Sequence, residues 1–187
     1  MISERVLVSE DIFAVGRHWW GVFSEPTIAG GRTSAGVKVK DTLNEQSWLG
    51  LLRRYLLAST ILHLVWEIVQ MPLYTLWRTG SPREVAFAVV HCTAGDLMIA
   101  TLAIVAALLL TGTSEWPQIG MIQVIILMII IGIGYTIYSE WLNTVVRQSW
   151  TYAPAMPIIP WLGTGLAPLL QWIVVPLLAM KIARRNE

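Results

Sequence analysis

Hydrophobic positions along the chain fall into four long runs, roughly Ser47–Trp77, Glu84–Thr111, Trp116–Asn143 and Pro160–Lys181. Each core holds the ~20 mostly apolar residues that a helix needs to cross a bilayer. The punctuation between them is that of turns. Gly80-Ser81-Pro82 and Thr111-Gly112-Thr113-Ser114 bound the second run, and Pro117 suits the first turn of the third. The third connection, Asn143 to Pro160, carries Pro154, Pro157 and Pro160 and reads as a loop with its own shape. The pattern predicts an all-α fold, an integral membrane bundle of four transmembrane helices over 47–187. A polar N-terminal extension, 1–46, precedes it. Within that extension Gly30 to Gly36 reads as loop and Val37 to Asp41 as a short extended or linking piece; the whole is expected to be a cytoplasmic segment, or an interfacial cap over a site. Glu4, Glu10 and Asp11 with no apolar run after them argue against a secretory signal.

Composition strengthens the membrane assignment. The chain has 187 residues, 55% hydrophobic and 13% charged, with a mean hydropathy of +0.60, where a soluble domain carries about 25% charged residues. A net charge of +1 without a basic cluster gives no reason to expect nucleic acid as a partner. The single cysteine, Cys92, excludes an intrachain disulfide. Of the ten tryptophans, Trp48, Trp77, Trp116, Trp150 and Trp161 stand near segment ends, where an interfacial belt would place them. Lys38, Lys40, Arg53, Arg54, Lys181, Arg184 and Arg185 lie toward the termini, against Arg78, Arg83 and Arg147 in the first and third connections. That bias predicts both termini in the cytoplasm.

One stretch stands out within the first run. His63, Glu67, Gln70 and Tyr74 step by four, three and four, so on a helix they form one polar stripe. A carboxylate at mid-membrane costs roughly 2.5–3.5 kcal/mol on insertion scales, so the stripe calls for partners. His91 and Asp96 in the second run, Tyr135, Tyr138 and Glu140 in the third, and Gln171 and Trp172 in the fourth fall at overlapping depths, mostly in the outer half. They are expected to wall an outer-half pocket together. Gly163, Gly165, Pro168 and Pro176 suggest a kinked or locally opened fourth helix, and Arg147 is a candidate partner for Glu140.

Three chemistries fit this group. The first is proton transfer on an apolar ligand, with His63, Glu67, Asp96 and Glu140 as acids and bases. Trp66 or Trp172 would then stabilise cationic character, and Gln70, Tyr74, His91, Tyr135, Tyr138 and Gln171 would line the ligand site. The second is a metal held by His63, Glu67, His91 and Asp96, or haem ligated by His63 and His91. No cofactor motif is present, and no cofactor is expected on the first reading. The third is interhelical hydrogen bonding alone, each bond contributing roughly 0.6–2 kcal/mol.

His63-Leu64-Val65-Trp66-Glu67 resembles the His-x-x-x-Glu stretch in the first helix of the EXPERA superfamily, which includes sterol isomerases of the emopamil-binding type and the sigma-two receptor. Gly95-Asp96, Gly134-Tyr135-x-x-Tyr138-x-Glu140 and Gln171-Trp172-x-x-x-Pro176 are similar to that family's patterns in the next three helices. The resemblance covers about residues 60–180. It implies a four-helix membrane protein that binds a sterol-like or isoprenoid lipid, with isomerisation or cyclisation as the activity. The patterns H-x-x-W-E-x-x-Q-x-P-L-Y and M-P-x-x-P also resemble small bacterial membrane proteins, which implies a bacterial inner membrane. Expected partners are membrane lipids and an apolar small molecule, with a homo-oligomer or a larger membrane complex as the context. The alternative is a non-catalytic subunit or binder of lipid, metal or haem.

Overall fold

A computed structural model describes residues 34–112 and 116–185, with side chains from residue 48 onward. Expectations for residues 1–33 lie outside the described residues. The unit Asp41–Glu187 contains every candidate membrane span.

Four helices are long and apolar enough to cross a membrane, with candidate spans Trp48–Leu73, Pro82–Thr111, Met121–Val146 and Leu166–Arg184. The elements run in order as α1 (Ser34–Gln70), a 3-10 turn (Met71–Leu73), α2 (Leu76–Thr79), α3 (Pro82–Thr111), α4 (Met121–Trp141) with a π-helical turn (Leu142–Val146), a two-residue pair β1 (Ile158–Ile159) and β2 (Thr164–Gly165), and α5 (Leu166–Arg184). The chain is thus a membrane protein of the predicted class.

Element ends follow local chemistry. Pro72 has no N–H and disfavours helix in the residue before it, so α1 tightens to 3-10 at Met71 rather than running to Trp77. Ser81 and Glu84 form a reciprocal capping box and Pro82 opens α3. Gly112 closes α3 at φ 59, the left-handed conformation a side chain resists.

Several expectations are corrected. Val37 to Asp41 is helical, because α1 begins at Ser34, upstream of the expected boundary at Ser47. The third helix starts at Met121, after Gly120 at φ 80, and not at Trp116-Pro117. Trp116 is buried in the core instead of lying in an interfacial belt. The fourth helix starts at Leu166, so Gly163 and Gly165 precede it rather than opening it. Pro176 lies inside α5 and removes the donor that the Trp172 carbonyl would otherwise receive.

The bundle is divided along its length. At the end nearest the start of the first span and the close of α5, Leu51, Tyr55, Ala58, Ala103, Ile104, Ala107, Val124, Met128, Ala179 and Ala183 form one core. Small residues let helix backbones approach there. Toward the other end the same buried faces turn polar. On α4 the buried positions are Val124, Met128, Gly132, Thr136 and Glu140, every fourth residue, and the change occurs along that single line.

The long connection caps the polar end. Tyr74 and Tyr152 form an antiparallel bridge, with Thr75 N–H donating to the Thr151 carbonyl at 3.0 Å and Ala153 N–H to the Leu73 carbonyl at 2.9 Å.

Candidate functional site

His63, Glu67 and Gln70 occupy the buried face of α1, as their spacing predicts. They meet Asp96 of α3 and Gln171 of α5. Gln171 Nε2 is the hub: it lies 2.7 Å from Asp96 Oδ2, 3.1 Å from Glu67 Oε1 and 2.9 Å from His63 Nδ1. Gln70 Nε2 donates to Glu67 Oε1 at 2.8 Å and reaches Gln171 Oε1 at 3.5 Å. Trp66 Nε1 donates to Gln70 Oε1 at 3.2 Å.

Hydrogen counting admits two tautomers of His63. An amide nitrogen has two hydrogens, while three acceptor positions surround Gln171 Nε2. The reverse amide orientation would turn an oxygen onto two carboxyls, so nitrogen belongs there. The count closes in either tautomer: with the proton on Nδ1, Gln171 serves both carboxyls and Nδ1–H faces Asp96 Oδ2 at 3.4 Å; with the proton on Nε2, Gln171 donates to Nδ1 and Asp96 while Gln70 serves Glu67 Oε1. In both, His63 Nε2 has no partner among the described residues.

Burial grades across the cluster. The His63 side chain is 0% exposed and that of Asp96 15%, so Asp96 is the member that reaches the protein surface. Nothing lies within 4 Å of where a Cβ on the adjacent Gly95 would stand, which leaves that flank open. Trp172 packs against His63 with ring centroids 5.3 Å apart. A Cβ on Gly132 would fall 2.1 Å from the Trp172 ring, so only glycine admits the indole at that level.

Glu140 belongs to a second group at the capped end. Tyr152 donates a short hydrogen bond to Glu140 Oε2 and accepts one from Gly165 N–H at 3.0 Å. The Tyr74 hydroxyl and the Trp150 indole also approach this carboxyl. Burial, then Glu140, pushes the Tyr152 hydroxyl above the usual phenol range, so it stays protonated as the donor. Tyr74 is shifted upward in the same way, first by burial and then by Glu140. Arg147 is exposed and is not the partner of Glu140, because Tyr152 takes that place.

In comparisons with family models, curated proteins and solved structures, nothing matches this chain. Geometry is therefore the ground on which its function is read.

Three expected wall residues face outward. His91 is exposed and stacks on Phe87 at 5.5 Å. Tyr135 and Tyr138 are 43% and 54% exposed and continue through Trp141 as an aromatic ladder on the outer face of α4. That is where an interfacial belt belongs. The set His63, Glu67, His91 and Asp96 does not assemble, because His91 lies on the exposed face, and no group of three or more His, Cys, Asp or Glu placed to hold a metal ion is found among the described residues. With His91 turned outward, it cannot ligate a haem together with the buried His63.

Sequence reasoning missed Tyr55 and Ser59. Tyr55 and Ser59 continue the stripe at the same four-residue step and are fully buried. The spacing was available to find them, but hydroxyls carry no charge to draw attention. Tyr152 reads in the sequence, with Trp150 and Thr151, as an interfacial anchor of the outer loop or a lid over a pocket, and its bond to Glu140 comes from the fold.

The polar groups of the cluster bond to one another, and Asp96 is the member with an exposed edge. A groove of about 370 Å³ lies between α1 and α3, lined by Arg53, Leu56, Leu57, Thr60, Leu97 and Thr101. Thr60 and Thr101 bond to carbonyls of their own helices, so the groove is apolar with a cation at one end.

Proposed function

We propose that the protein is a membrane acid–base centre acting on an apolar or amphipathic lipid, with double-bond isomerisation or cyclisation as the reaction class. The observation that carries this reading is the convergence of two carboxyls and an imidazole on Gln171 Nε2. No lysine or arginine belongs to that cluster, so its charge is balanced by protons. A group of this kind holds a proton and hands it on.

Asp96, as the partly exposed member, is the carboxyl that meets the ligand. In an isomerisation it adds a proton to one alkene carbon, leaving a cation on the neighbouring carbon. Removal of a proton from the next carbon by the same carboxylate shifts the double bond with no net proton change. His63 and Glu67 act behind Asp96 as its proton partners. The groove between α1 and α3 suits an acyl or isoprenoid chain, and Arg53 suits an anionic head at its end. The motif resemblance favours a sterol-like or isoprenoid skeleton.

The direct bonds within the cluster also favour a second reading, in which the protein binds a lipid without chemistry and the polar groups fix helix packing. Incubating purified protein with a membrane lipid extract in D2O separates the two. Isomerisation by this centre incorporates solvent deuterium into one lipid, and Glu67→Gln and Asp96→Asn abolish the incorporation. Undiminished labelling with Glu67→Gln at unchanged expression would remove the assigned role. Absent labelling, with lipid still co-purifying in native mass spectra, would establish the binder.

A further inference from the structure

Three buried polar atoms take no part in this scheme. Tyr55 OH, Ser59 Oγ and His63 Nε2 have no hydrogen-bond partner among the described residues, and all three residues are 0% exposed. Each such group costs roughly 1–3 kcal/mol when left unsatisfied, so three on one helix face need a common cause.

Their placement supplies one. Positions 55, 59 and 63 are successive turns of one face of α1, about 6 Å apart along its axis. A water with two hydrogen bonds of about 2.8 Å joins polar atoms that lie roughly 4.5–5.6 Å apart. Ser59 is the polar group nearest the Tyr55 hydroxyl, and the two fall short of a direct hydrogen bond of good geometry. The core cluster that includes Tyr55 also holds Ala103, Ala107, Ala179 and Ala183, none of which offers a side-chain hydrogen-bonding group. No charged side chain belongs to this core. Arg54, the nearest cation in sequence, directs Nε to the Ala183 carbonyl at 2.8 Å, at the end of the bundle where the stripe begins.

We propose that Tyr55, Ser59 and His63 Nε2 line a file of water that carries protons between that end of the bundle and the His63–Glu67–Asp96 centre. A proton enters the water beside Tyr55 and passes Ser59, each O–H bond breaking as the next forms. The last transfer forms the Nε2–H bond of His63. The Nδ1–H bond then breaks and its proton goes to the Asp96 carboxylate, 3.4 Å away. One proton arrives and one leaves, so the imidazole is neutral before and after. When Asp96 returns a proton to Nδ1, the Nε2 proton departs by the same file. The inference rests on the proposed role of His63 and Asp96, but its test needs no lipid.

The test follows exchange of the His63 ring N–H with D2O by NMR, on full-length protein labelled with 15N-histidine in nanodiscs. His63→Asn assigns the resonance, and the exposed His91 is the internal control. Wild-type protein is expected to exchange readily. Tyr55→Phe, which keeps the shape and deletes the hydroxyl, should slow exchange about tenfold, as for the loss of one hydrogen bond. Ser59→Val, which fills the space, should slow it at least as much. An unchanged rate in either folded variant overturns the file, as does a wild-type ring N–H that fails to exchange. Slowed exchange alongside full deuterium labelling of lipid by Glu67→Gln would keep the file and discard the chemistry.

Discussion

Gln171 is the residue on which the site turns. Its nitrogen serves two carboxyls at once and its carbonyl oxygen faces Gln70. Gln171→Ala should lower stability by ~1–3 kcal/mol for each acceptor left bare, read as an earlier thermal unfolding transition in detergent. Gly132 acts by having no side chain. Gly132→Ala forces the Trp172 ring off its seat beside His63, and overpacking of this kind costs ~1–3 kcal/mol. The expected signs are a lower unfolding temperature and changed tryptophan fluorescence, whereas Gly134→Ala, with open space at its Cβ, should leave both unchanged.

At the scale of elements, the connection between α4 and α5 works as a strap. Its backbone pairs with the turn after α1, and Tyr152 ties it to Glu140 and to the start of α5. Tyr152→Phe should loosen the strap and raise the rate of limited proteolysis between Gln148 and Pro160. The titration has a definite sign. The Tyr152 pKa is raised in the folded state, so its contribution is complete below the unfolded phenol value of about 10 and is lost as pH rises above it. Unfolding followed across that range should show wild-type stability falling, with a shallower fall in Tyr152→Phe. The register of α1, by contrast, is legible in its residues. His63, Glu67 and Gln70 lie on one face as spacing requires, and Pro72 ends the helix where its chemistry says it must.

At the scale of the molecule, an even number of spans returns the chain to the side from which the first span began. Cysteines introduced at Gly112 and Arg185 should therefore label from one side of sealed vesicles and a cysteine at Trp161 from the other, in a Cys92→Ser background. Labelling of all three from one side would remove the four-span arrangement.

The four helices, their approximate limits and the polar face of α1 are written in the residues themselves, because they depend on local properties: runs of apolar residues, prolines, glycines and a four-residue step. So is the separation of apolar and polar groups into opposite halves of the bundle, since depth follows from counting along each helix. Which depth-matched residues meet is a matter of packing. His91 and Asp96 stand five positions apart on α3, and helical rotation sends one to the surface and the other to Gln171. Tyr135 and Tyr138 share the depth of Glu140 and face away from it. Depth is a one-dimensional quantity that a chain carries in its order of residues; the angle at which each helix faces its neighbours is set by tertiary contacts, and here by the fit of Trp172 over Gly132.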